Sequence, residues 1–221
     1  MEAEQPLVVY TAIFGDFSDR LYAPQVVDPG IRYLAFVDTD EPHTHNGWQC
    51  VPPSFRHADP RRQARQHKLL PHLLFPGVRH SIWIDGCFTP CGDFRDLVRM
   101  YLSSNVHICT FKHCERNCVY QELEACLRLR KDRPGLMRRQ IDRYRQEGYP
   151  HNNGLAETGV MLRAHTPEVK EFNELWWDEL SRGSVRDQLS FNYSTWRLGM
   201  HYGTFRELRR QCQYFRWRAH R

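Results

Sequence analysis

Lysine is scarce in this 221-residue chain: of 31 basic residues only Lys68, Lys112, Lys131 and Lys170 are not arginine. Arginine suits bidentate phosphate recognition, but a G/C-rich coding sequence gives the same bias, so the skew alone assigns no function. Long apolar runs are missing as well. The longest, Leu7–Ile13 and Ile82–Ile84, fall far short of the about 20 residues of a membrane helix, which excludes a helical membrane span. The first six residues, Met1 to Pro6, lack the basic start and apolar stretch of a secretory signal. A cytoplasmic protein is therefore expected, with at most peripheral contact at the inner face of a membrane. The eight cysteines form no paired C-x2-C knuckles, only Cys87-x3-Cys91 and Cys114-x3-Cys118. A chain of this size rarely needs disulfides, so reduced thiols are expected, and His113 beside Cys114 leaves zinc open as the alternative. There is no internal repeat, no low-complexity linker, and no helix-turn-helix, finger or RNA-binding signature. The net charge of +5 thus does not make a nucleic-acid partner the expectation.

What is present is the composition of an ordinary globular protein, 41% hydrophobic and 26% charged. One domain over residues 1–221 is expected, with its core in about 7–200 and a basic, aromatic extension in 201–221. Charge is uneven along the chain: residues 1–50 hold two Arg against eight Asp or Glu, and residues 201–221 hold six Arg against one Glu.

Leu7–Phe14 is an apolar, β-branched and aromatic run halted by Gly15-Asp16, which predicts a buried strand delivering a loop. Ile31–Asp38 and His80–Asp85 repeat that pattern, and each ends in an acid. Asp59-Pro60 predicts a helix N-terminus, with a kink at Pro71 before the helix ends near Leu74. Asp93 and Asp96 predict a helix to about Leu102, His107–Lys112 a strand, and Val119–Arg130 an amphipathic helix. The charged helix Pro134–Gly148, with a thin stripe of Leu136, Met137, Ile141 and Tyr144, is expected on the surface. Gly154–Leu162 reads as a strand, Thr166-Pro167 opens a helix, and Ser184 starts another containing Leu189, Phe191, Tyr193 and Trp196. Phe205–Arg221 is expected as a terminal helix. Strands alternating with helices predict an α/β protein with a mostly parallel central sheet, which binds ligands outside the carboxyl ends of its strands.

Several residues at those ends carry chemistry. Arg61, Arg65 and Lys68 share one helix face, either a solvated stripe or an anion site. The strand that follows ends in Asp85, and cations beside a carboxylate can hold a diphosphate with or without a divalent ion. His113, Arg116 and Glu122 fall where a strand passes into a helix, His113 and Arg116 facing the cleft and Glu122 making an internal ion pair. Glu157 stands beside the turn-like Asn152-Asn153-Gly154. Asp187 has two readings: a capping box opened by Ser184, or a functional acid within Arg186-Asp187-Gln188. Trp176-Trp177, and Trp196 with Trp217, either stack on sugars or fill the core, and their helical spacing favours the core.

The ordered segments YTAIFGDF (10–17), LAFVDTD (34–40), RRQARQHKLLPH (61–72), SIWIDG (81–86), FKHCERNCVYQE (111–122), GLAETGVMLRAH (154–165) and RDQLSFNY (186–193) resemble the glycosyltransferase-like domain of the turgor-regulation and mucilage-related family. This resemblance covers nearly the whole chain. It implies a single Rossmann-like α/β/α domain of the A-type nucleotide-diphospho-sugar transferase fold, transferring a sugar from a nucleotide-sugar donor to a glycan or lipid-linked acceptor in surface-polysaccharide synthesis. The resemblance puts Thr11, Phe14, Gly15 and Asp38 at the nucleoside. It puts Arg61, Arg65, Lys68 and Asp85 along the donor; Gly86, His113, Arg116, Arg186 and Gln188 are expected beside them, and Asp187 and Glu157 are the candidate catalytic carboxylates. Mn or Mg would bind an Asp-x-Asp motif, with His201 as a late ligand or merely a surface histidine. Here the motif reads Asp85-Gly86-Cys87, and a thiol is a poor ligand for hard cations, so the cationic stripe is the alternative means of neutralising the diphosphate. The rivals to a transferase are a hydrolase of nucleotide sugars or phosphodiesters using the same cleft, and a non-enzymatic binder of anionic polymers.

Overall fold

The computed structural model describes residues 7–15 and 21–218. The acidic start of the chain, and Asp16 and Phe17 after the first apolar run, lie outside them. The architecture is α/β, as expected. One eight-stranded sheet is built around β1 (Leu7–Ile13), which pairs in parallel with β2 (Ile31–Val37) on one side and β5 (His80–Ile84) on the other. Beyond β2 lie β4 (Trp48–Val51), parallel to it, and the hairpin partner β3 (His43–His45). Beyond β5 lie β8 (Ala156–Ala164), β7 (Ile108–Lys112) and the short β9 (Gly203–Thr204). Four of the seven pairings are parallel, and β8 runs antiparallel to both its neighbours.

Period-two alternation splits β1 between two cores. Leu7, Val9 and Ile13 face one cluster with Ile82, Ile84, Phe94 and Phe215, and Val8, Tyr10 and Ala12 face the other with Trp83, Phe172, Trp176 and Phe191. All seven residues of β1 are buried. That accounts for its reading as one continuous apolar run, since a strand covered on both faces has no polar side.

Helix α1 (Pro60–Leu69) starts where the sequence places it: the Asp59 side chain accepts from the Arg61 N–H, and Pro60 occupies the first turn. At Pro71 the expected kink is a break, with Leu70 in a non-helical conformation before the one-turn helix α2 (Pro71–Leu74). Asp93 caps α3 (Phe94–Tyr101), and Thr166 caps α6 (Pro167–Arg182). The stripe of α5 (Pro134–Gln146) is more deeply set than expected: Met137, Ile141 and Tyr144 are fully buried in a third cluster with α4 (Val119–Arg128) and α7 (Gln188–Arg197). There Tyr144 stacks on Tyr193 with ring centroids 3.6 Å apart.

Two expectations fail. Helix α7 begins at Gln188 rather than Ser184, and Asp187 makes no side-chain cap. The expected terminal helix is instead irregular chain between β9 and a strand, β10 (Phe215–Trp217), paired antiparallel with β6 (Phe88–Pro90). Phe205, Tyr214 and Phe215 are core residues there, and their burial fixes the segment against the sheet.

Candidate active site

The parallel strands β1, β2 and β5 bring Phe14, Asp38 and Asp85 to one edge of the sheet. Because β8 is antiparallel, the start of that strand reaches the same edge: Ile84 pairs with Val160, and the Asp85 N–H donates to the Gly159 carbonyl at 2.7 Å. Glu157 and Thr158 therefore join residues that end other strands. Gly159 has to be glycine for this approach, since a Cβ there would lie 2.8 Å from the Phe88 ring.

Helix α1 lays its cations along this edge. Lys68 is fully buried, with Nζ 2.6 Å from Asp187 Oδ2 and 3.3 Å from Asp85 Oδ1. Arg65 lies above it, its NH1 3.7 Å from Asp85 and its Nε 3.5 Å from Asp187. Two further donors bind the acids of this quartet: Trp83 Nε1 donates to Asp85 Oδ1 at 2.7 Å, and Thr158 Oγ1 donates to Asp187 Oδ2 at 2.9 Å. Burial opposes the charge on Asp187, but Arg65, Lys68 and Arg186 outweigh it and hold the carboxyl far below the usual range. The fully buried Arg163 binds the Tyr10 hydroxyl at 2.5 Å and the Lys68 carbonyl at 2.6 Å, which fixes the turn that carries the ammonium.

Above the quartet opens a cleft of about 470 Å³, lined by Phe14, Arg61, Arg65, Asp85, Lys131 and Arg186 among others. A pocket of about 160 Å³ adjoins it, sharing Arg65, Asp85, Cys87 and Arg186 and adding Glu157, Asp187, Gln188, Arg209 and Trp217. A third, of about 230 Å³, holds His113, Arg116, Glu122 and Gln188.

The sequence-assigned residues divide accordingly. Phe14, Arg61, Arg65, Asp85 and Gly86 line the cleft; Glu157, Arg186, Asp187 and Gln188 line its neighbours; Lys68 is the buried counter-ion beneath them. Four assigned residues, Thr11, Gly15, Asp38 and His201, fall away from it. Thr11 is buried within β1, not in the cleft, because the side chain belongs to a strand covered on both faces. Asp38 lies at the rim, where its Oδ2 accepts from the Gly15 N–H at 2.7 Å, so the pair fixes the loop rather than lining the cleft. Gly15 takes φ +72° to make that turn. His201 is exposed in the turn after α7 and does not line the cleft.

Sequence reasoning missed Trp83, Thr158, Lys131, Arg209 and, as a site residue, Trp217. Trp83 carried a signal, since it stands two residues before Asp85 on the same face of β5. Arg209 carried none, because the β6–β10 pairing that sets the position of its segment is remote in sequence.

Arg116 donates through Nε to Glu122 at 2.8 Å, the expected internal ion pair, and the His113 Nδ1 accepts from the backbone N–H groups of Glu115 and Arg116. Burial raises the Glu157 carboxyl against the opposing pull of Arg209, whose NH1 is 3.2 Å from Oε1. Glu157 Oε2 is buried without a partner, as are Arg186 Nε and Arg209 Nε.

Metal-capable side chains gather at one place among the described residues: His113, Cys114 and Glu157 bring donor atoms within 4.8 Å of one another. Guanidinium groups already occupy two of those donors, Arg116 NH2 at 2.9 Å from His113 Nε2 and Arg209 NH1 at Glu157. At Asp85 the fit to Mn or Mg is poorer still. Two cations and an indole N–H crowd Oδ1, and burial with the neighbouring Asp85 pushes the Cys87 thiol up to about 12, so it stays protonated. The residues present do not fit a hard divalent ion.

Residues 39–217 match the family model described as TOD1/MUCI70, glycosyltransferase-like domain. A probable hexosyltransferase of Arabidopsis thaliana, MUCI70, is 30% identical in a 212-residue alignment that covers 84% of this chain. The chain spans 36% of that relative's length. Among solved structures, a glycosyltransferase involved in glycosylation of the major capsid of PBCV-1 aligns over 90% of this chain and 81% of its own, with 10% identity and TM-score 0.47. The apo form of the Streptococcus pneumoniae glycosyltransferase GlyE aligns over 92% and 45%, with 12% identity and TM-score 0.49.

Proposed function

The chain belongs to the TOD1/MUCI70 glycosyltransferase-like domain family, and from that kinship and the chemistry of the cleft we propose that it transfers a hexosyl group from a nucleotide-diphosphate sugar to a glycan or lipid-linked acceptor. The observation that carries this reading is the Arg65–Lys68–Asp85–Asp187 quartet at the floor of a cleft with excess positive charge. Glycosyl transfer by any stereochemical route requires the nucleoside diphosphate to leave, and fixed cations at the leaving oxygens lower that barrier without reorganising. Arg65 and Arg186, with Arg61 and Lys131 at the mouth, take the diphosphate. Asp85 presents Oδ2, which receives no hydrogen bond from the described residues, to a donor hydroxyl. Asp187, locked as an anion, orients Arg65 and Lys68, and Glu157 is the carboxyl able to exchange a proton. The protein's own cations do what a divalent ion would do, so we place no metal in the reaction. We place it in surface-polysaccharide synthesis on the cytoplasmic side of a membrane; no helix of the described residues is long and apolar enough to cross one.

The test is a thermal-shift panel of UDP, GDP, CDP and their common sugars, each with Mn and with EDTA. One nucleotide family is expected to stabilise the protein, by about 2.7 kcal/mol at 100 times its dissociation constant, and equally under both conditions. Arg65→Ala is expected to weaken that ligand by roughly 10- to 100-fold, the worth of a charge-assisted hydrogen bond. No shift with any nucleotide would remove the transferase reading, and a shift found only with Mn would overturn the metal-free mechanism.

A further inference from the structure

We propose that the 160 Å³ pocket beside the cleft is the subsite for the sugar being transferred, that it is built for an uncharged sugar, and that Arg209, from the segment before β10, closes it. The proposal rests on the donor reading above and extends it from the diphosphate to the glycosyl unit.

Position comes first. The pocket shares Arg65, Asp85, Cys87 and Arg186 with the cationic cleft. A sugar esterified to the outer phosphate must lie within a few bonds of the cations that hold that phosphate, and this pocket is where such a group falls.

The pocket's hydrogen-bonding deficit is equally specific. Glu157 Oε2, Arg186 Nε and Arg209 Nε are buried with no partner, although all three residues line this one pocket. A buried polar atom left unpaired costs about 1–3 kcal/mol. Satisfying these three takes a ligand that donates to a carboxylate and accepts from two guanidinium groups. A bare anion only accepts, whereas a sugar's hydroxyls do both.

Charge then selects among sugars. In the cleft, Arg61, Arg65, Lys131 and Arg186 face one acid, Asp85. In the pocket, Arg65, Arg186 and Arg209 are matched by Asp85, Glu157 and Asp187. The excess charge belongs to the diphosphate end; in the smaller pocket the three guanidinium groups are already matched by three acids, so a hexuronate carboxyl would bring a fourth negative charge with no cation left to balance it. Arg209 reaches this place from a segment with no regular structure of its own, held by its guanidinium over the Trp217 ring at 5.0 Å and by its pairing with Glu157.

The experiment compares dissociation constants for UDP, UDP-glucose and UDP-glucuronate by calorimetry, or GDP, GDP-mannose and GDP-mannuronate if the panel selects guanosine. The wild type is expected to bind the neutral sugar nucleotide at least about tenfold more tightly than the uronate, a gap of about 1.4 kcal/mol. Arg209→Gln should leave the plain diphosphate within about twofold and weaken the neutral sugar nucleotide by about tenfold or more. Glu157→Gln, on a different element, should give the same split and serves if the first variant does not fold. Equal weakening of diphosphate and sugar nucleotide in both variants, or tighter binding of the uronate, overturns the subsite while leaving the donor cleft standing. Failure of every nucleoside diphosphate to bind the wild type overturns the donor cleft and the subsite together.

Discussion

Lys68 is an ammonium sealed from water, and its charge is tolerable only because two carboxylates and the Thr158 hydroxyl surround it. Removing one partner from such a pair leaves the other buried and uncompensated. Lys68→Met is therefore expected to cost about 3–5 kcal/mol in urea denaturation, whereas Lys68→Met with Asp187→Leu should recover most of that loss. The double variant should still fail to bind nucleotide, which separates the pair's role in the fold from its role in the cleft. His67 makes a pH-dependent contribution of another kind. Its Nε2 accepts from the Ser54 and Phe55 N–H groups, and burial lowers the imidazole to about 4. The unfolded chain takes up that proton near the ordinary value of about 6.5 and the folded chain does not, so stability is complete above that pH and declines as pH falls towards 4. Denaturation at a series of pH values should show a loss of about 3 kcal/mol across this window from His67, and His67→Gln should flatten that part of the curve. At this scale the sequence was informative where spacing alone decides orientation: Arg61, Arg65 and Lys68 on one helix face, and Asp85 at a strand end. At Asp187 it left a cap and a functional acid both open, since Ser184 three residues earlier imitates a capping box and nothing local reveals that Lys68 takes the carboxylate.

Among the elements, β8 contributes most to the site and was least legible in direction. Its apolar run identified a strand, but periodicity carries no sign, and only pairing with β5 and β7 sets it antiparallel. That reversal places Glu157, Thr158 and Gly159 at the carboxyl ends of the parallel strands. Gly159→Ala is expected to cost about 1–3 kcal/mol by overpacking, because the new methyl must displace the Phe88 ring. It should also weaken nucleotide-sugar binding more than nucleotide binding, since Phe88 and Gly159 both line the smaller pocket; chemical denaturation and calorimetry on one sample measure both. Helix α1, by contrast, was readable almost to the residue, since Asp59, Pro60 and Pro71 act locally at its ends.

For the molecule as a whole, α/β alternation and the two-sided burial of β1 were legible in the sequence, and the fate of residues 203–218 was not. Aromatic and basic residues at irregular spacing read as a helix or an anionic-polymer tail. The hydrophobic core took the aromatics, and three of the arginines found internal partners: Arg209 with Glu157, Arg209 and Arg210 over Trp217, Arg218 over Tyr22. Filter binding to single-stranded DNA at physiological salt is accordingly expected to show no saturable complex, and a steep salt-dependent affinity would mean these cations are free for phosphate. The buried Lys68–Asp187 pair also sets a timetable. A nascent chain presents α1 to the sheet long before residue 187 has been synthesised, and until then the ammonium has only Asp85, the more distant of its two acids, to accompany it into the interior. Helix α1 is therefore expected to seat fully only once Asp187 arrives, so the floor of the cleft closes late in biogenesis. An arrested chain that stops short of Asp187 should carry a loosely held α1, open to limited proteolysis around Arg61 and Arg65.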